Sequence, residues 1–290
     1  MRLKARAKIN WTLDIVGQRA DGYHLMDMLM QPVTLADDIT LAPAEEITLT
    51  TGGTPLLPAD EKHLAYRAAM ALKKHTGYPG GAAIHVEKHI PVGAGMGGGS
   101  ADAAGVLVGL NLLWGLNLPQ TELEAIGLTL GADVPFCIRG GLTRTTGIGE
   151  NMEDLPCGRN WPLVVIQPCE GLSTKEIFTA YHEDVVDARP DNAAAALALA
   201  NGDAAALSAA MANVMQPVSE ARRPGIHEAI VALKEQGAFV AQMTGSGSAV
   251  FGAFADEASA ANAYEALRTR WERTYLCKTC TESVVIDHEN

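Results

Sequence analysis

The sequence predicts a two-domain α+β protein. Three observations carry this reading. The chain has 290 residues, where one domain usually takes roughly 100 to 200. Strand and helix periodicities are mixed along both halves. A polar stretch rich in turn residues, 147–159, lies between the halves. The boundary is placed at residue 155, giving domains 1–155 and 156–290. Hydrophobic residues make up 48% and charged residues 19%, ordinary proportions for a chain with a buried core.

Leu3, Ala5, Ala7 and Ile9 alternate with Lys4, Arg6 and Lys8, a period of two that predicts an opening strand. Runs at Ile39–Leu41, Ile47–Thr50 and Ala82–Glu87 read as further strands. Over Glu61–His75, Leu64, Ala65, Ala68 and Leu72 fall at helical spacing, and Gly77 with Pro79 ends that helix. Ser100 is placed at the start of a helix running to Trp114, with Ala103, Ala104, Leu107, Val108 and Leu110 among its apolar positions. Glu122–Leu130 reads as a helix, followed by the turn Gly131-Ala-Asp-Val-Pro135 and a strand over Phe136–Thr145.

The second half opens on a strand, Leu163–Ile166. Helices are predicted at Thr174–His182, Asp191–Ala200, Asp203–Met215 and Gly225–Gln236, the Ala-rich runs being strong helix formers. Phe239–Met243 and Ala249–Phe254 read as strands meeting at Gly245-Ser-Gly247. A helix at Glu257–Arg270 and a strand at Tyr275–Lys278 follow. Five scattered cysteines read as free thiols, and Cys277 with Cys280, lacking a second such pair, reads as part of that last strand.

A net charge of -12 argues against non-specific binding to nucleic acid or an anionic membrane. The first residues, Met-Arg-Leu-Lys-Ala-Arg-Ala-Lys, lack the apolar run of a signal peptide. No stretch of about 18 apolar residues occurs. A cytoplasmic protein is expected, as a monomer or homodimer.

The segment Pro91-Val92-Gly93-Ala94-Gly95-Met96-Gly97-Gly98-Gly99-Ser100-Ala101 carries the chemistry. Glycines let the backbone turn successive N–H groups inward toward an anion, and a following helix N-terminus adds free N–H groups and partial positive charge. This is a phosphate cradle. The pattern G-x-x-x-x-G-K-[ST] is absent, which excludes a P-loop enzyme. Gly93, Gly95 and Gly98 satisfy G-x-G-x-x-G, but the acidic residue that a dinucleotide fold needs about 20 residues on is missing. No H-R-D or D-F-G signature supports a protein kinase.

Pro91 to Ala101, continuing into Asp102-Ala-Ala104, resembles the second motif of the GHMP kinases. Ala7-Lys8-Ile9-Asn10 resembles their first motif, and Met243-Thr-Gly-Ser-Gly-Ser-Ala249 their third. Gly17-Gln-Arg-Ala-Asp-Gly-Tyr-His24 and Gly131-Ala-Asp-Val-Pro135 extend the likeness toward members that act on a cytidine diphosphate-linked polyol. The resemblance implies a two-domain kinase with its active site in the cleft between domains, using ATP and Mg2+. It places the catalytic aspartate at Asp133, a buried carboxylate that would accept or orient the hydroxyl proton, and the catalytic lysine at Lys8. Asn10 shares the Lys8 face of its strand. Tyr23 would stack on cytosine and His24 would hydrogen-bond it, with Thr174 and Phe178 on one helix face beside them.

Gly245, Ser246 and Gly247 would form the third loop at the substrates, and Ser100 could reach the metal as well as cap its helix. Read alone, Asp133 is equally a turn cap, Lys8 a solvated lysine and Phe178 a core residue. Two departures stand out: Trp11 replaces an aliphatic residue, and Asp102, where some members have Asn, adds negative charge near the phosphates. A homoserine- or mevalonate-type kinase, or a nucleotide-binding regulator without catalysis, are the alternatives.

Overall fold

A computed structural model describes residues 1–54 and 60–287 of the chain; residues 288–290, the end of the second expected domain, lie outside the described residues. β1 (Arg2–Gln18) and β2 (His24–Ala44) form a long antiparallel hairpin. β3 (Thr48–Gly52), α1 (Leu64–Thr76), β4 (Gly81–Glu87), α2 (Gly98–Leu113), α3 (Gln120–Leu128) and α4 (Val134–Arg139) follow. A second hairpin, β5 (Leu142–Gly147) and β6 (Asn151–Leu155), ends the first half. The second half runs β7 (Pro162–Ile166), α5 (Thr174–Ala180), a 3-10 turn at Glu183–Val185, α6 (Asn192–Asn201), α7 (Ala204–Ala210) and α8 (Gln216–Arg222). α9 (Gly225–Glu235), β8 (Val240–Met243), β9 (Val250–Ala253), α10 (Glu257–Leu267), β10 (Thr274–Lys278) and β11 (Val284–Asp287) complete it.

One sheet has β11, β1, β2, β4 and β3 as successive neighbours, with β5 on β2 and β6 on β5; the other is ordered β10-β7-β9-β8. The last strand thus returns to the first sheet, on the outer side of β1. α2 is mostly apolar and buried along most of its length, because it lies between the first sheet and the other helices. Small residues bring it close: a Cβ on Gly109 would stand 2.4 Å from Leu41 Cδ1.

The alternation that predicted β1 describes only its start. From Ala7 to Ile15 every residue is buried, polar ones included. The second half covers the outer face: Gln242 Nε2 donates to the carbonyls of Asn10 (3.3 Å) and Trp11 (2.9 Å), and the chain at 212–214 pairs with Leu13. Trp11, the larger residue in place of an aliphatic one, meets Phe251 of β9 edge-on at 5.6 Å and donates from Nε1 to Gln31 Oε1 at 2.8 Å. Trp11→Phe leaves that buried amide oxygen short of a partner and opens a void, so it should cost about 2 to 3 kcal/mol. A urea unfolding midpoint at fixed slope measures it.

Several elements differ from expectation, and β11 has no expected counterpart. Residues 136–139 are helical, not extended, because Pro135 presets the first turn of α4; Gly140 and Gly141, both at positive φ, then release the chain into β5. The helix expected over 203–215 stops at Ala210, since β1 takes the backbone at 212–214, and a separate α8 begins at Gln216. The supposed linker 147–159 contains β6. Cys277 and Cys280 are free and buried, and burial pushes the Cys277 thiol up to about 12. No helix among the described residues is long and apolar enough to cross a membrane.

Candidate active site

A cavity of about 550 Å³ opens where the two halves meet. Its floor is the loop 91–97 and the first turn of α2. Gly93, Gly95 and Gly97 take φ of +66°, +75° and +71°, alternating with Ala94 and Met96 in ordinary conformations. Such alternation curls successive N–H groups into a concave nest for an anion. Gly97, left-handed, is the N-cap of α2, so Ser100 stands inside the first turn rather than at the cap where the sequence placed it. Its hydroxyl therefore borders the cavity without a capping duty.

Neighbouring segments clamp the loop. Lys8 N donates to Met96 O at 3.0 Å, Ala249 N to Ala94 O at 3.1 Å, and Gln167 Nε2 to Val92 O at 2.9 Å. The three motifs, far apart in the chain, form one body.

On one wall Lys8 Nζ lies 2.7 Å from Asn10 Oδ1, to which it donates, and 3.6 Å from Asp133 Oδ2. Lys8 is buried, not solvated, with its side chain 5% exposed against 34% for Asp133. The aspartate is thus half-open to the cavity instead of buried. Its carboxylate makes no cap hydrogen bond to α4, which leaves it available to a ligand. Asn10 N in turn donates to Thr244 Oγ1 at 3.0 Å, joining the first motif to the third.

Phe178 and Thr174 of α5 reach the cavity with Gly245 and Ser246; the hydroxyls of Thr174 and Ser246 lie 2.9 Å apart. The His24 ring stacks on Phe178 at 5.2 Å and 27° and meets Tyr181 edge-on at 5.9 Å. Tyr23 is 61% exposed at the hairpin tip. Among the expected residues, Lys8, Asn10, Pro91 to Ser100, Asp133, Thr174, Phe178, Gly245 and Ser246 line the cavity. Tyr23, His24, Ala101 and Gly247 do not; Ala101 is buried in α2, and Gly247 sits against Met243 and Leu172.

Sequence reading missed Leu13, Met26, Met28, Leu64, Lys88, Ile90, Ala132, Ile148 and Met215 on the walls. The apolar members carry no pattern that separates them from core. Lys88, just before the loop, carries no more pattern than they do. It is buried and pairs with Asp37 and with Asp102, the latter at 2.7 Å. Asp102 therefore does not present a free charge to the phosphates, as its position suggested. Burial raises the Asp102 carboxyl well above the usual range, against the pull of Lys88. The two carboxylates outweigh burial at Lys88 and raise it.

An amide nest, a buried ammonium and a half-open carboxylate facing one cavity can hold a polyphosphate against an alcohol. That chemistry defines a small-molecule kinase, and likeness to known proteins agrees. The model of the GHMP kinases N terminal domain matches residues 63–141, and that of the GHMP kinases C terminal domain matches 194–273. The chain belongs to the GHMP kinase family.

Within the family its likeness is narrower. It is 41% identical over 280 residues to the 4-diphosphocytidyl-2-C-methyl-D-erythritol kinase of Symbiobacterium thermophilum, covering 96% of this chain and 99% of the relative. The enzyme of the same name from Clostridioides difficile is 38% identical over 290 residues, with 99% and 97% covered. A crystal structure of 4-(cytidine 5'-diphospho)-2C-methyl-D-erythritol kinase superposes with a TM-score of 0.83 at 34% identity, over 96% of this chain and 99% of that one. Homoserine kinase from Cytophaga hutchinsonii, at 19% identity and a TM-score of 0.77, shares the fold.

Proposed function

We propose that the chain transfers the γ-phosphoryl group of ATP to the 2-hydroxyl of 4-diphosphocytidyl-2-C-methyl-D-erythritol, giving the 2-phosphate and ADP. This is a step of the non-mevalonate (MEP) route to isoprenoid precursors. One observation carries it: the amide cradle, the Lys8–Asp133 pair and the aromatic ring of Phe178 line a single cavity.

The distances within the site support a role for each residue. Phosphoryl transfer asks mainly for positioning and for stabilisation of charge on the transferring oxygens. The nest holds the triphosphate, and Lys8, oriented by Asn10, faces the γ-phosphate. Asp133 accepts or orients the proton of the attacking hydroxyl. Phe178 and His24, with Tyr23 next in the chain, receive the cytosine ring, while Thr174, Gly245 and Ser246 border the polyol. Mg2+ suits this site, because Ser100 and Asp133 put two oxygen donors on one cavity and Mg2+ is usually held by one or two protein oxygens together with phosphates. Bound there, the ion would neutralise phosphate charge.

Cytidylation should decide substrate choice. In an ADP-release assay the diphosphocytidyl alcohol is expected to exceed its uncytidylated analogue in kcat/KM by about 10²-fold or more, since the aromatic end gives binding only to the base. Equal rates on the analogue, or turnover of homoserine or mevalonate instead, would overturn the substrate.

A further inference from the structure

Behind the cradle lies a charged cluster that phosphoryl transfer does not itself require. Lys88 Nζ, with its side chain 2% exposed, donates to Asp37 of β2 and to Asp102 Oδ2 of α2, and both carboxylates are fully buried. Asp37 Oδ1 also accepts from the backbone N–H groups of His89 (2.6 Å) and Ile90 (2.8 Å), the residues that enter the loop. Asp102 stands just past the first turn of α2, and its Oδ1 is buried without a partner. A Cβ built on Gly98 would come within 3.5 Å of the Lys88 ammonium, so that group lies directly under the turn carrying the cradle.

Stability is a poor reason for this arrangement. A buried ion pair must offset the loss of hydration of both partners, and apolar replacements of similar volume are often neutral or stabilising. What charges give here that apolar groups do not is a directional tie. Lys88 fixes the sheet, through Asp37, to the start of α2, through Asp102, at one spacing.

We propose that Lys88 and Asp102 are positioning residues for ATP, tying β2 to the first turn of α2 so that the amides of Gly97, Gly98 and Gly99 sit where the phosphates need them. This rests on ATP occupying the cradle, so wild-type binding of ATP and of the diphosphocytidyl alcohol is measured first by calorimetry. Absence of ATP binding by the wild type would refute that occupancy rather than the tie.

The double variant Lys88→Met/Asp102→Leu removes the tie and leaves one buried carboxylate, Asp37, held by its two backbone donors. It should unfold below the wild-type temperature but stay folded under assay conditions, and bind ATP about 10- to 100-fold more weakly while binding the alcohol as before. Asp102→Asn, which keeps an acceptor for Lys88, should stay within about threefold of wild type for ATP. A purely structural role would leave the two substrates affected alike. A folded double variant with wild-type ATP affinity would overturn the proposal. Should the double variant not fold, Asp102→Ala is compared with Asp102→Asn, and equal ATP affinity in those two would overturn it as well.

Discussion

Asp133→Asn is expected to lower kcat about 10³-fold, the scale of a lost acid–base or orienting carboxylate, while ATP binding stays within about twofold. The geometry separates the two effects. Asp133 stands 3.6 Å from Lys8 and holds none of the amides of α4 with its side chain, so replacing one oxygen by an amide nitrogen leaves the turn intact. The cradle lies on the neighbouring wall and keeps all its donors. Steady-state kinetics paired with calorimetric titration of ATP reads both quantities. Turnover within about tenfold of wild type would remove Asp133 from the chemistry. A parallel loss of ATP affinity would make it a binding residue instead.

Gly95→Ala should be nearly as damaging, by another route. Gly95 has φ of +75°, and a Cβ there would lie 2.2 Å from the Thr244 carbonyl oxygen and 3.1 Å from Gly247 N. Two costs add. The left-handed conformation takes about 1 to 2 kcal/mol from a residue with a side chain. The clash with rigid backbone forces the second and third motifs apart, and Lys8, bonded through its N–H to Met96 O at 3.0 Å, moves with them. The expected outcome is an ATP KM raised about 10²-fold, a reduced kcat and a stability loss of about 3 kcal/mol. Gly77→Ala is the control: φ is +67°, but nothing lies within 4 Å of its Cβ. It should show the conformational cost alone, about 1 kcal/mol, with normal kinetics. Equal behaviour of the two variants would show that the loops do not interlock.

Much of the site was legible because its chemistry is local in sequence. A run such as Gly93 to Gly99 has few uses other than a curled backbone, so a phosphate cradle could be read from composition and order. Gly22, at the tip of the hairpin between β1 and β2, has φ of +89°, a conformation suited to glycine. Errors arose where a distant partner overrode local preference. The Ala-rich run past residue 203 has strong helix propensity, but β1 bonds the backbone at 212–214 and ends the helix early. Ser100 is a good capping residue, yet Gly97 reaches the left-handed conformation first and takes the cap.

Charge was the least legible property. Asp102 read as a negative charge near the phosphates, and its pairing with Lys88 was not legible, because a pair 14 residues apart on a loop and a helix leaves no periodic trace. The same holds for Lys8 and Asp133: each was ambiguous by itself, and they meet only when β1 and the start of α4 are brought to one cavity.

The sequence by itself determined the mixed strand and helix content, the cradle and the residue types able to transfer a phosphoryl group, since these depend on neighbours within a turn or a strand. Tertiary structure decided which polar residues are buried, which charges cancel and which walls the substrates meet. Burial and ion pairing depend on separations of a few Å between segments far apart along the chain, and only packing of one half against the other sets those distances.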